Sequence, residues 1–321
     1  MNIRHILLSF LILFLGTGAF AQADKEDTSA DANTEDLEKI LEKGNMNTPK
    51  PSDYYVSATF KSTRVIDGQS IENIGKGVLD FRISHRFGEL NEGIQNLYGL
   101  DNATTKFGFD YGITNWLMIG VGRSSYEKEY DGFIKVKLVH QTIDDRVPVS
   151  VSYYTSMSVQ TMEVINIPGY TYYFSNRLFY ANQLLIARKF NNVFSFQLMP
   201  TYLHYNLVEN ANDPNEVFAM GIGGRLKVSK HVAITAEYYY NIPGHKLSGF
   251  NNPVSAGIDI ETGGHVFQLF LTNSANLTDH TFIAETFGNV TKGAIHLGFN
   301  ISRVFTVVRS GESKNSNTKA W

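Results

Sequence analysis

The sequence predicts an all-β fold: a closed antiparallel transmembrane β-barrel of about twelve strands, behind a cleaved signal peptide and an acidic, disordered N-terminal segment. Three observations predict it. Apolar and polar residues alternate with a period of two from Tyr54 onward. The connectors between the alternating runs are short and long by turns. The composition is aromatic-rich and charge-poor, with 22 Phe, 17 Tyr and 2 Trp against only 18% charged residues. In 321 residues, 28 basic side chains meet 31 acidic ones, which excludes a broadly basic surface, so no nucleic-acid partner is expected. There is no cysteine. That excludes a disulfide framework, a zinc–thiolate cluster and a thiol nucleophile.

Residues 1–21 read as a secretory signal. Arg4 and His5 form the basic start, 6–15 is apolar except for Ser9, and Ala19-Phe20-Ala21 is an A-x-A cleavage site. The apolar run is about half the roughly 20 residues a spanning helix needs. Residues 22–51 hold eight acids and four lysines with no aromatic residue, a composition that cannot bury enough apolar surface to order itself. One short helix fits within it, with Thr34 as N-cap, Leu37, Ile40 and Leu41 on one face and Gly44 as its stop. This stretch is expected to be a flexible periplasmic tether and a candidate contact for another envelope protein. Residues 52–308 form the barrel domain, and 309–321 a C-terminal tail.

The strand pattern is clearest where apolar and polar residues face apart. In 78–87, Leu79, Phe81, Ile83, His85 and Phe87 alternate with Asp80, Arg82, Ser84 and Arg86. The same rhythm runs through 106–111, 133–138, 218–228 and 254–261. Short connectors fall at 114–115, 191–192, 229–230 and 263–264, with 144–146 slightly longer. Longer ones fall at 124–130, 160–176, 206–216, 241–253 and 273–292. Counting back from the last strand, 294–308, gives eleven strands to Lys106, and 78–87 makes twelve. Residues 54–66 alternate as well. They are either a thirteenth strand, against the even number of single-chain barrels, or a periplasmic lead-in.

A soluble β-sandwich would show the same alternation. Three features favour lipid. Segments run about ten residues, the span of a tilted transmembrane strand. Aromatics fall toward strand ends, where interfacial girdles sit: Trp116, Tyr126, Tyr130, Tyr153, Tyr154, Tyr202, Tyr205 and Tyr238–Tyr240. The last strand carries Ile295, Leu297, Phe299, Ile301 and Phe305 on one face, with Arg303 placed to snorkel. It resembles the closing-strand signal read by barrel-insertion machinery, although 306–321 follow Phe305. Outer-membrane lipid and that machinery are the expected partners, and the bacterial outer membrane the expected location.

The stretches VLDFRISHRFGELNEGIQNLYGLDNATTKFGFDYGITNW (78–116) and LMIGVGRSSYEKEYDGFIKVKL (117–138) resemble an uncharacterised outer-membrane β-barrel family of Bacteroidota-type bacteria, a domain of unknown function. The resemblance implies a location and a fold. It brings no activity, substrate or catalytic residue.

No catalytic, cofactor or metal site is expected. The histidines are scattered with no H-x-H or H-E-x-x-H spacing. Ser84 and His85, the nearest nucleophile–base candidate, are strand neighbours and point to opposite faces. The glycines of 120–125 (GVGRSS) lack the lysine and helix of a phosphate loop and instead suit close approach of another segment. The strand phases place Asp80, Arg82, Arg86, Lys106, Asp110, Lys135, Lys137, Arg225, Lys227, Glu237, Asp259 and Glu261 inside. These seven basic and five acidic groups are expected to pair across the lumen or to draw anions into a narrow pore. Residues 89–104 and 273–292 are candidate plugs, the second because it groups Phe282, Ile283 and Phe287. The expected function is a narrow or gated pore for small polar or anionic solutes. The alternatives are a non-conducting docking barrel and, less favoured, an outer-membrane enzyme.

Overall fold

The computed structural model describes residues 54–163 and 171–308. The signal, the acidic leader with its short helix, and the tail lie outside the described residues. Chain contacts separate Met1–Pro49 from Lys50–Trp321, and the first of these units falls wholly outside them.

The wall has twelve antiparallel strands: β1 (Val78–Glu89), β2 (Ala103–Gly112), β3 (Leu117–Ser124), β4 (Tyr130–Val139), β5 (Ser150–Val159), β6 (Leu178–Lys189), β7 (Phe194–Tyr205), β8 (Glu216–Lys227), β9 (Val232–Asn241), β10 (Val254–Thr262), β11 (His265–Thr272) and β12 (His296–Thr306). Each pairs with its neighbour in sequence, and β1 pairs with β12, so the sheet closes with no free edge. Closure matters because lipid offers no hydrogen-bond partner to an unpaired strand. Across the seam the register runs from Val78 opposite Thr306 to Arg86 opposite Gly298.

Alternation does in three dimensions what it predicts in one. Phe107, Phe109, Val121, Ile134, Ile258 and Leu269 stand exposed on the outer face. Such a continuous apolar exterior would be a liability in water and is the natural covering of a wall in lipid. Between them, the inward residues are buried. No helix among the described residues is long and apolar enough to cross a membrane.

Short turns and both ends of the wall share one rim, here the turn rim; the longer connections share the other, the loop rim. The contrast is less regular than the sequence suggests, since β3 and β4 are joined by only residues 125–129 and β4 and β5 by 140–149.

Residues 54–77 form no wall strand. Their central part lies inside the barrel, with Phe60, Val65, Ile66, Ile71 and Ile74 buried, while Tyr54 and Tyr55 stay exposed at the rim, where Tyr55 bridges to Thr142. This settles the strand count at twelve, and it makes 54–66 an interior segment rather than a thirteenth strand or an external lead-in. The physical reason is that β1 and β12 already satisfy each other's edge groups, leaving nothing for a further strand to pair with.

Three tyrosines expected in the interfacial girdles also point the other way. Tyr154, Tyr205 and Tyr239 are buried in the lumen, whereas Trp116, Tyr130, Tyr153 and Tyr240 are exposed outside. Neighbours on a strand alternate, so a Tyr-Tyr pair cannot place both rings in one girdle.

Candidate functional site

The lumen is the site, and two segments of the chain fill it. Toward the turn rim sits the first stopper, residues 54–77. Its centre is a hairpin in which Arg64 bridges to Gln69 and the Val65 amide donates to the Gly68 carbonyl at 2.8 Å. The tip, Ile66-Asp67-Gly68, points its amides at one wall carboxylate. Glu237 accepts from the amides of Ile66 (3.2 Å), Asp67 (2.7 Å) and Gly68 (3.1 Å). Gly68 is required there by closeness, because a Cβ would lie 2.2 Å from the Tyr239 hydroxyl. Asp67 pairs with the buried Arg86, whose guanidinium also lies 4.2 Å from the centre of the Phe270 ring.

Other wall residues grip the segment's backbone from all sides. Lys135 donates to the carbonyls of Ser70 (3.1 Å) and Glu72 (2.7 Å). Arg225 donates to those of Ala58 and Thr59, at 2.9 and 3.2 Å. Gln197, Gln268 and Asn300 donate to the carbonyls of Gln69, Val65 and Ile66. Arg82 reaches Ser62 and Thr63 while pairing with Asp80 at 2.9 Å. Each of these wall residues finds at least one partner, which offsets most of the cost of burial, although Nε of Arg82, Arg86 and Arg225 is left unpaired.

The second stopper is the β11–β12 loop, whose helix α1 (Asp279–Ala284) buries Phe282 and Ile283. Thr278 caps it, and also donates to Glu129 of the β3–β4 loop. Asp279 accepts from Tyr154 and Ser156 on β5, both at 2.6 Å, and Asn241 on β9 donates to the Ile283 carbonyl. The loop thus crosses to the far wall. His280 is fully buried, stacks on Phe179 with centroids 4.1 Å apart, and makes an ion pair with Glu129 at 3.1 Å. Burial alone would hold this imidazole neutral; the adjacent Glu129 carboxylate, together with Glu285 and Glu127, outweighs it and pushes the pKa up to about 9. In Glu129, burial acts upward, but His280 and the Thr278 hydroxyl leave the carboxyl below its ordinary value.

Of the twelve residues assigned inward from strand phase, Asp80, Arg82, Arg86, Asp110, Lys135, Arg225, Glu237 and Asp259 are buried. Lys106, Lys137, Lys227 and Glu261 are half-buried. Lys106 pairs with Asp131 at 2.8 Å and donates to the Leu277 carbonyl, and Glu261 pairs with Lys61 of the first stopper. The partner of most of the basic groups is therefore a stopper rather than the opposite wall. Sequence reasoning missed Asp67, Glu129 and His280 as lumen residues; the one signal for the first was the odd strand count. Of the two candidate plug loops, 273–292 enters the lumen, while 89–104 stays at the rim with Ile94, Leu97 and Tyr98 exposed. At Gly120 a Cβ would lie 2.3 Å from the ring of Phe133, its paired neighbour on β4, so the glycine makes room for that cross-strand ring.

Ser84 faces the lumen while His85 lies outside, stacked on Phe299. Among the described residues no group of three or more His, Asp or Glu could hold a metal ion.

Above helix α1, toward the loop rim, lies a cavity of about 180 Å³. Four carboxylates line it, Glu127, Glu209, Asp213 and Glu285, and none of its lining residues is basic.

Residues 60–305 match a family described as a membrane bound beta barrel domain (DUF5777). The chain belongs to this family. Among solved structures the NanC porin is similar at 10% identity, with a TM-score of 0.45, covering 72% of this chain and 100% of that one. The KdgM porin is similar at 9% identity and a TM-score of 0.43, covering 71% and 99%. The outer membrane protein Omp33 of Acinetobacter baumannii shows 12% identity and a TM-score of 0.38, covering 74% and 100%. No curated protein matches the chain. As a member of a membrane-barrel family, this chain presents its apolar outer face to lipid and keeps its charge for the stoppered interior.

Proposed function

We propose that the chain is a bacterial outer-membrane barrel that rests shut and acts as a gated passage for small polar solutes. The turn rim faces the periplasm, and residues 54–77 are the inner gate. The family description supports the membrane, and the disposition of turns and loops, with the signal sequence, supports the side. The resemblance of 78–138 supports a Bacteroidota-type source.

The observation that carries the gate is that the first stopper contributes nothing to the wall. β1 closes on β12 without it, and it joins the barrel at Gly77. Besides five buried apolar side chains, its anchors are hydrogen bonds and ion pairs that water can replace, about 0.5–1.5 kcal/mol net each where neutral and about 1.5–3 kcal/mol where one partner is charged. On its withdrawal the exposed wall would be polar and hydrated.

The excess of base inside, taken alone, favours anions. The four carboxylates above helix α1 oppose that preference by repelling an anion before it reaches the lumen. The solute class supported is therefore small and polar, without an anionic bias.

A non-conducting docking barrel is the second reading, favoured by the presence of two stoppers in series. Planar-bilayer recording separates the two. Intact protein should be silent or open rarely. Deleting 54–76, or combining Arg86→Ala with Glu237→Ala where the deletion fails to insert, should raise opening frequency, and shortening the 273–292 loop in addition should raise it most. Correctly inserted barrels that stay silent with both stoppers weakened would establish the docking reading instead.

A further inference from the structure

The cavity at the loop rim takes no part in closing the lumen; beyond the charge screen its acids supply to the passage, its shape and lining suit a bound molecule of their own. It sits on the outer side of helix α1, between the β3–β4, β5–β6, β7–β8 and β9–β10 connections, with Phe179 and Tyr205 at its base. Two cations lie just outside the lining, and both are engaged: His280 is committed to Glu129, and Arg177 lies over the Tyr172 ring and donates to the Gln160 carbonyl. The lining combines four acids with the rings of Tyr172, Phe179, Tyr205 and Phe250, and with Leu207, Val208 and Leu247; Glu285 is itself bonded to the Tyr205 hydroxyl.

We propose that this vestibule binds a small organic cation, an amine carrying an apolar or aromatic body, between the carboxylates of Glu127 and Glu285 and the rings of Phe179, Tyr205 and Phe250.

Size, charge and wall chemistry each narrow the ligand. At about 180 Å³ the cavity is smaller than the roughly 300–1,000 Å³ of drug-sized sites, which suits a compact molecule rather than an oligomer. Negative charge without a basic neighbour in the lining calls for a cation. Asp213 is the least available of the four acids, since the Ser248 amide donates to it at 3.0 Å and Asn210 at 3.1 Å. A bare metal ion is disfavoured, because no three carboxylate or imidazole groups among the described residues converge to ligate one. Aromatic faces attract an ammonium through the ring quadrupole, by about 0.5–2 kcal/mol each depending on solvation.

The acids carry a mark of their unmet charge. Burial, and then Glu285 and Glu129, push Glu127 up to about 7, against the pull of His280 and a 2.9 Å hydrogen bond from Gln160. Burial likewise raises Glu285, opposed by His280 and the Tyr205 hydroxyl and reinforced by Glu129 and Glu209. A bound cation would relieve this repulsion and release protons as it does so.

The test is calorimetric titration of the full chain in detergent micelles with phenylethylammonium, against phenylacetate and 2-phenylethanol as probes of opposite and zero charge. The ammonium should bind, the neutral alcohol roughly tenfold more weakly, and the carboxylate not measurably. Glu285→Gln and Phe250→Ala should each weaken the ammonium about fivefold or more. Its affinity should also rise from pH 6 to pH 8, and Glu127→Gln should flatten that rise. Equal binding of ammonium and carboxylate, or no heat from the ammonium up to about 10 mM, would overturn the proposal. So would an ammonium affinity that Glu285→Gln leaves unchanged. The three-ligand series on the unsubstituted protein decides the matter even if a variant fails to fold.

Discussion

The two stoppers fill one lumen by different means. The first, 54–77, is ringed by charged and amide side chains from β1, β4, β7, β8, β9, β11 and β12, which hold mainly its backbone. The second, the 273–292 loop, is tied to the wall at both ends and docks a helix through Phe282, Ile283 and one imidazole–carboxylate pair. The first grip is largely charged and amide groups around five buried apolar side chains, and beyond β1 its backbone is tied, among the described residues, only to the β4–β5 connection at Tyr54–Val56; the second is fixed to the wall at both ends and can only hinge. The difference assigns the larger movement to the first stopper and the finer control to the second.

Four perturbations break or sharpen that contrast. The largest effect should come from Arg86→Ala, which strands Asp67 as a buried unpaired charge and removes the contact over Phe270. Losing one partner of a buried pair costs about 3–5 kcal/mol. Amide exchange across 62–72 should accelerate strongly while 279–284 keeps its protection. Equal loosening of both stoppers would show them to be one cooperative unit.

Next, Phe282→Ala empties an apolar site that packs edge-on against Tyr239, with centroids 5.3 Å apart. A cost of about 3 kcal/mol is expected, confined in exchange to 279–284. Tyr239 also touches the hairpin at Gly68, so any loosening of 66–68 in this variant measures how strongly the two stoppers are coupled.

The third perturbation is pH. His280 has a folded pKa near 9, above its unfolded value, so its pairing stabilises the second stopper fully below about pH 6.5 and is lost as pH rises through about 9. Glu129, shifted down, contributes above its unfolded value and loses its contribution in acid. The loop should therefore be held best at mildly acidic to neutral pH and loosen in alkali. NMR titration of the His280 ring should inflect near pH 9, and Glu129→Gln should move that inflection down. An inflection near 6.5 in the parent would remove the ionic contribution. The smallest effect belongs to Lys61→Ala, whose partner Glu261 is partly solvated; below about 1 kcal/mol is expected, with little change in exchange at 62–72.

Most of the wall was legible because a period of two has only one geometric meaning on a strand. Asp80, Arg82 and Arg86 fall inside and Phe81 outside for the same reason, and no tertiary knowledge is needed. The second stopper was half legible, since Phe282 and Ile283 are too apolar for a solvated loop. The first was not. Residues 54–66 alternate as a wall strand does, and what places them inside is a set of partners more than 100 residues away, Glu237, Gln268 and Asn300 among them. Periodicity reports on one chain segment and is blind to such pairings. The tyrosines failed for a related reason: proximity to a strand end suggests a girdle, but the parity of Tyr154 and Tyr239 decides the face. Glu129, lying in a loop without period, carried no signal, and His280 carried none beyond its place in the 273–292 candidate plug.

The seam between β1 and β12 sets an order of manufacture. The cylinder is complete only when its twelfth stave is in place, yet one of the two segments that pack its interior precedes the first stave and the other lies between the eleventh and the twelfth. The nascent chain must therefore either wind its staves around the earlier segment or draw it in through the open end afterwards. Whichever route operates, a barrel halted before the final stave would carry an unsealed edge and an unseated core together.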